Sequence, residues 1–274
     1  TLTISGNNSY TGSTTAGGNG TLLISGSSAS TSIIVGSGAT LGTVGADRLL
    51  NTAAVSVGGT LSLGGNQTIG TLEGGGAVAL GANTLTTGAG GDSTFSGVLS
   101  GDASSRLTKQ GSSTFTLSGN NSYTGNTRVE GGTLLLSGTS ASASIDVVAG
   151  SLLMGAGDLL DNAAALAVSS GATLTLGGSD TVGSLLLAGH LNATAGGTLT
   201  AATYTLTGGT ADADLGKGAL NSTGNSAING TFGTDAAAAD SITVQSGTLT
   251  LGASSQIGDS TNVGLTGGAT LTLG

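Results

Sequence analysis

Residues 107–136 read LTKQGSSTFTLSGNNSYTGNTRVEGGTLLL. Inside this stretch, Ser118-Gly119-Asn120-Asn121-Ser122-Tyr123-Thr124-Gly125 repeats Ser5-Gly6-Asn7-Asn8-Ser9-Tyr10-Thr11-Gly12 letter for letter, 113 positions apart. Identity of that length is a duplication, and self-similarity at a fixed period marks a repeat architecture. The copy runs on in the same order. Residues 21–50 echo 133–161, TLSLGGNQT at 60–68 echoes TLTLGGSDT at 173–181, and a third, weaker copy begins near Ser241 and closes on GATLTLG at 268–274, which repeats 171–177. The offset drifts only between 111 and 113, which puts the insertions in loops as single residues. The expectation is one continuous solenoid over 1–274, with tandem blocks near 1–113 and 114–226 and a partial block at 227–274.

The units within a block are short. Thr21-Leu22-Leu23-Ile24, Ser32-Ile33-Ile34-Val35, Thr60-Leu61-Ser62-Leu63 and Thr173-Leu174-Thr175-Leu176 alternate apolar with small polar residues, and glycine pairs close them. Period-two alternation between glycine turns is the strand signal, and β-branched Thr strengthens it. Thr-Leu pairs begin at Thr21, Thr40, Thr60 and Thr84, in steps of 19, 20 and 24 residues. That spacing predicts an all-β, right-handed parallel β-helix (a β-solenoid) with about 20 residues per coil. Stacked coils then place Leu on Leu inside and Thr or Asn ladders outside, and about thirteen coils would make a rod on the order of 60 Å. Helix is expected at most as a turn or two at 47–57 (DRLLNTAAVSV) and 158–168 (DLLDNAAALAV), and more weakly at 235–240.

Composition agrees with a thin, repetitive core. The 274 residues include 54 Gly and no Pro, Cys or Trp; Phe and Tyr number three each, and mean hydropathy is +0.31. Such a chain is too apolar for charge-driven disorder and too poor in aromatics for one thick globular core. Net charge is −9, and the five cations, Arg48, Arg106, Lys109, Arg128 and Lys217, form no basic patch, which excludes nucleic acid as a partner. The lack of Cys removes a disulfide framework and suits a chain that crosses an oxidising compartment unfolded. No leader peptide and no apolar run of membrane-spanning length is present, and both ends fall inside strand-like repeats, so the chain reads as an excised segment of something longer.

The pattern Leu107-Thr108-Lys109-x-Gly111, then 114–125 as TFTLSGNNSYTG, then Thr127, Val129, Gly131, Gly132, Thr133 and Leu134, resembles the autotransporter passenger-associated repeat, with a shorter version at 1–24. The resemblance implies a right-handed parallel β-helix in a large secreted bacterial surface protein, exported through an outer-membrane translocator. The first copy departs from the pattern where Gly17-Gly18-Asn19-Gly20 stands against Val129-Glu130-Gly131-Gly132. The residues themselves argue for structure: Leu117, Val129 and Leu134 are expected inside, Asn120-Asn121 in a tight turn or asparagine ladder, and Tyr123 over a coil edge.

Little in the chain calls for chemistry. His190 is the only histidine, has no carboxylate close in sequence, and reads as an exposed turn residue after Gly189. Asp212-x-Asp214-x-Gly216 begins like a calcium loop but lacks the third ligand and the closing Glu, and Asp158 with Asp161 is a second oxygen pair; both read as solvated turns. Asn-x-Ser/Thr triplets at Asn66, Asn192, Asn221 and Asn229 follow from composition. No catalytic residue, metal site or cofactor is assigned, the chain is not expected to be an enzyme, and ligand-binding residues stay unassigned.

Two rival classes make distinct demands. A polysaccharide-degrading β-helix needs clustered carboxylates and cations in a groove. An ice-binding solenoid needs a flat array of the Thr-x-Thr pairs at 84/86, 173/175, 198/200, 248/250 and 270/272. The favoured expectation is an adhesive passenger segment at the bacterial cell surface. Its partners would be a receptor or glycan on a host or neighbouring cell, or further copies of the rod.

Overall fold

The computed structural model describes residues 1–194, 196–233, 241–252 and 261–274, and the chain divides into two compact units, Thr1–Ala143 and Ser144–Gly274. The chain is an all-β parallel solenoid of about 13 turns, repeating about every 19 residues, with no helix among the described residues.

In the first unit one wall is a sheet of the strands Leu2–Ile4, Thr21–Ile24, Thr40–Thr43, Thr60–Ser62, Ala77–Gly81 and Val98–Gly101, every pair parallel. Register puts Leu22, Leu41, Leu61, Val78 and Leu99 in one inward column, with Leu2 of the first coil in line with them but 65% exposed. A second wall carries Thr14, Ile33, Val55 and Leu72 inward, and a later one Phe95, Leu117 and Leu136. In the second unit the matching columns are Ile145, Leu166, Leu185, Tyr204, Leu220 and Ile242, and Leu152, Leu174, Leu191, Ala211 and Ile228.

The cause is the alternation itself. In a strand such as Thr133–Leu136 the second and fourth residues are buried and the others half-exposed, so each coil delivers two aliphatics per strand to the core. Each buried Leu or Ile contributes about 1.5–3 kcal/mol by leaving water.

The outward rows are mixed. Thr68 and Thr86 continue onto the buried Thr108 as a threonine ladder, and Thr21, Thr40 and Thr60 form another, whereas Thr3, Leu23, Gly42, Ser62, Ala79 and Ser100 share a further row.

Corners are where coils approach most closely. A Cβ on Gly119 would overlap the carbonyl oxygen of Gly97, and one on Gly138 would overlap that of Gly119, so the first glycine of the SGNNSYTG motif is dictated by stacking.

The segments expected to turn as helix do not. Asp47 (φ 53°) and Asp158 (φ 54°) sit in left-handed backbone, and the chain turns there before entering the strands Ala54–Val57 and Ala165–Val168. Two adjacent leucines followed by alanines resemble a helical stripe, but burial of Ala53, Val55 and Val57 follows period two. The N–H groups of Asp47, Arg48 and Leu49, and of Asp158, Leu159 and Leu160, are satisfied from the next coil rather than four residues along. The expectation at 235–240 lies outside the described residues.

Candidate functional site

In the repeat coils two sides are true strands and the third is a turn. Single parallel bridges, Asn8 to Ser28 and Asn121 to Ser140, are all the strand pairing this third side has there. Side chains supply the rest. Buried Asn121 donates from Nδ2 to the carbonyls of Gly119 (2.7 Å) and Thr139 (3.2 Å), and its Oδ1 accepts from the Leu99 N–H (3.0 Å). One amide thus ties its own turn to the coils on both sides. Asn8 makes the same pair of donations, to Gly6 (2.7 Å) and Ser27 (3.4 Å). The bonds run to backbone, so the asparagine acts as a coil fastener and does not build a ladder of amides.

Tyr123 is fully buried rather than laid over an edge, because coils stack on both sides of it. Its hydroxyl meets Thr127 Oγ1 at 2.5 Å, and burial pushes the phenol above its ordinary pKa, with Thr127 and Ser140 pulling the other way. The twin, Tyr10, bonds Thr14 (2.8 Å), which in turn bonds Ser30 (2.5 Å), but Tyr10 is 42% exposed. Leu117, Val129 and Leu134 are all inside, as their spacing requires. In the shorter copy, Ala16 takes the inward place of Val129, and the extra residue is absorbed at Gly17–Gly20, where Gly18 (φ 60°) matches Gly132 (φ 61°).

Lys109 entered the sequence reading only as one of five cations without a patch and as a position of the repeat pattern. It is fully buried, and its Nζ donates to the carbonyls of Gln110 (2.9 Å), Gly111 (3.3 Å) and Gly131 (3.1 Å). Burial lowers its pKa, and the Asp92 carboxylate opposes that. The strand Arg106–Lys109 buries three residues in succession, so strict alternation offers no warning.

His190 opens the strand His190–Ala193 rather than a turn, and its Nε2 lies 2.6 Å from Asp212 Oδ2 on the next coil. Asp212 Oδ1 accepts from Asn229 Nδ2 at 2.6 Å, so three successive coils are linked in line. The Asn229 bond first, then His190, hold the Asp212 carboxyl below its ordinary range. Of the remaining oxygens expected in solvated turns, Asp214 caps the Thr231 N–H (2.7 Å) and Asp161 caps that of Ala163 (2.8 Å). Among the described residues no three His, Cys, Asp or Glu side chains gather as metal ligands.

Two carboxylates, Glu73 and Asp92, line an open groove of about 570 Å³ with Thr94, Thr114 and Thr116, and no Arg or Lys lines it. Asp92 already accepts from the Thr114 N–H (2.7 Å). Of the Thr-x-Thr pairs, 248/250 stacks on 270/272 and Thr86 on Thr68 and Thr108, whereas Thr84 stacks on Arg106, Thr173 on His190, Thr175 on Asn192 and Thr198 on Asp214. The like stacks are confined to short runs, so these rows do not form the single continuous array that ice binding requires.

Residues 1–24 and 107–136 match the passenger-associated-transport-repeat family model. No curated protein and no solved structure matches the chain at a significant level.

Proposed function

We propose that this chain, which carries two passenger-associated-transport-repeats on a parallel β-solenoid, is an adhesive stretch of an autotransporter passenger. In this reading an outer-membrane translocator exports it, it stands at the cell surface, and the tandem blocks at 1–113 and 114–226 with a partial block at 227–274 lengthen one display element. The observation that carries the reading is how the repeat spends its polar side chains. Asn8, Asn121, Tyr10, Tyr123 and Lys109 are turned to bonds within and between coils. What remains for a partner is the outward rows, in which Ser, Thr and Asn recur and offer many weak contacts. Affinity in such a system comes from the number of simultaneous contacts and not from one pocket.

A structural role is favoured over catalysis by how five of the carboxylates are used. Asp212 is bound to His190 and Asn229, Asp214 and Asp161 cap turns, and the groove at Glu73 and Asp92 has no lining cation. Low charge in the first unit, where four of the five cations offset the acids, reduces repulsion between neighbouring copies and suits self-association.

The test is deletion of this segment from the full-length protein with export through its translocator verified. Loss of surface attachment and of cell-to-cell aggregation is the expected result. Attachment and aggregation at the original level, with the shortened passenger displayed normally, would overturn the adhesive reading.

A further inference from the structure

We propose that Asn19-Gly20, in the turn of the first repeat copy, is a self-modifying site. Its side-chain amide converts spontaneously to aspartate or isoaspartate in the folded protein, while the fold shields the other Asn-Gly pair, Asn229-Gly230.

Both pairs read Asn-Gly-Thr, so the local sequence gives them equal reactivity. Asn is a thermolabile residue. A glycine after it removes the side chain that would hinder attack on the amide and widens the backbone's range. In the reaction the Gly N–H gives its proton to a base in solvent, and the nitrogen attacks the Asn Cγ. A C–N bond closes an imide ring, the Cγ–Nδ2 bond breaks, and ammonia leaves. Water then opens the ring at one carbonyl to give aspartate, or at the other to give isoaspartate. The pair therefore needs an untied amide, an uncommitted Gly N–H and access to water.

Asn19-Gly20 meets all three conditions. Both residues are exposed in the turn between the strands Ser13–Ala16 and Thr21–Ile24. Among the described residues no hydrogen bond reaches the Asn19 amide, and the Gly20 N–H donates to no carbonyl. The next coil shows the committed form of the same turn. There Ala39, which precedes Thr40 as Gly20 precedes its register partner Thr21, donates to the Gly36 carbonyl at 3.0 Å. Beside the Asn19 amide stands Gly38, where a Cβ would lie 2.5 Å from Asn19 Oδ1. The second copy carries Glu130-Gly131-Gly132 in the corresponding turn, so the reactive pair belongs to the first copy alone.

Asn229-Gly230 fails on two of them. Asn229 Nδ2 donates to Asp212 Oδ1 at 2.6 Å, and the Gly230 N–H donates to the Ala211 carbonyl at 3.4 Å, beside the shorter bond from the Asn229 N–H (2.7 Å). A Cβ on Gly230 would overlap the Ala213 carbonyl oxygen, so the backbone there is seated against the previous coil. The Asp212 carboxylate also opposes the negative charge that the attacking nitrogen must develop.

Conversion at Asn19 adds a carboxylate to a unit in which Arg48, Arg106, Lys109 and Arg128 nearly balance Asp47, Glu73, Asp92, Asp102 and Glu130. Isoaspartate also lengthens the backbone at the entrance to the strand Thr21–Ile24. The turn thus records the age of the folded chain.

The test ages the full chain in mildly alkaline buffer and follows both sites by peptide mass spectrometry, with isoaspartyl methyltransferase labelling to count isoaspartate. In the folded chain Asn19 should convert at least about tenfold faster than Asn229, the factor expected from one charge-assisted hydrogen bond that must break first. In urea sufficient to unfold the chain the two rates should converge. Asp212→Ala should quicken conversion at Asn229 and leave that at Asn19 unchanged. Equal rates in the folded chain, a ratio that persists in urea, or an Asn229 indifferent to Asp212→Ala would each overturn the proposal. If Asp212→Ala does not fold, the native and urea-unfolded chains decide between these outcomes.

Discussion

The Lys109 ammonium reaches three backbone carbonyls, two from its own turn and one, Gly131, from the next coil. Its worth lies in what its removal would strand. Lys109→Met keeps the aliphatic stem but leaves those carbonyls without the donor, and urea unfolding should show a loss of about 1–3 kcal/mol. Because burial lowers its pKa, the charged form is the disfavoured one in the folded state. The first unit should therefore gain stability as pH climbs through the folded value toward the ordinary lysine range, and Lys109→Met should remove that gain. The Asp212 carboxyl moves the opposite way. It is held low by Asn229 and His190, so its contribution is present above the ordinary carboxylate pKa and fades as pH falls through its folded value. At 40% and 41% side-chain exposure the pair with His190 is well solvated, so Asp212→Asn should cost less than about 1 kcal/mol. The glycines of the duplicated motif make a sharper pair. A Cβ on Gly125 would overlap the Ser105 carbonyl oxygen, whereas one on Gly12 meets nothing within 4 Å. Thermal unfolding should show Gly125→Ala losing about 1–3 kcal/mol or more through overpacking, and Gly12→Ala staying within about 0.5 kcal/mol of the native chain.

At the scale of the element, strands and turns are stabilised by different means, and that difference decides how far each could be read in advance. The strand Thr114–Leu117 declares itself by alternation, and its partners stack Phe115 on Leu134 and Leu117 on Leu136. Leu117→Ala should therefore cost about 2–5 kcal/mol in equilibrium unfolding, as a cavity in a close-packed column. The third-side turns were opaque for a physical reason. The donors of Arg48 and Leu49 find their acceptor at Gln67, and those of Leu159 and Leu160 find theirs at Asp180, about one coil downstream. A window of local sequence holds the donors and not the acceptor, and the Leu-Leu and Ala-Ala pairs then pass for a helical face. Comparing the two blocks position by position would have exposed the joint, since Gln67 and Asp180 occupy the same place in TLSLGGNQT and TLTLGGSDT. Lys109 had no comparable signal, because the shorter copy at 1–24 begins after the position that would correspond to it.

For the molecule as a whole, the central claim is that residues about 19 or 20 apart stand side by side in parallel register, turn after turn. Solenoid stability is then local, a sum of coils and their interfaces. The absence of cysteine from the natural chain makes that claim directly accessible. Thr40 and Thr60 are partners in adjacent parallel strands and both are half-buried. Neighbouring strands lie about 4.8 Å apart, inside the roughly 4.4–6.8 Å range of Cα separations that a disulfide accepts. Thr40→Cys with Thr60→Cys should close almost completely under mild oxidation in dilute solution, read as an intramolecular cross-link by mass spectrometry. Thr40→Cys with Leu61→Cys, one residue out of register and facing the other way, should stay reduced. An open first pair, or equal closure of the two, would contradict the stacked-coil account.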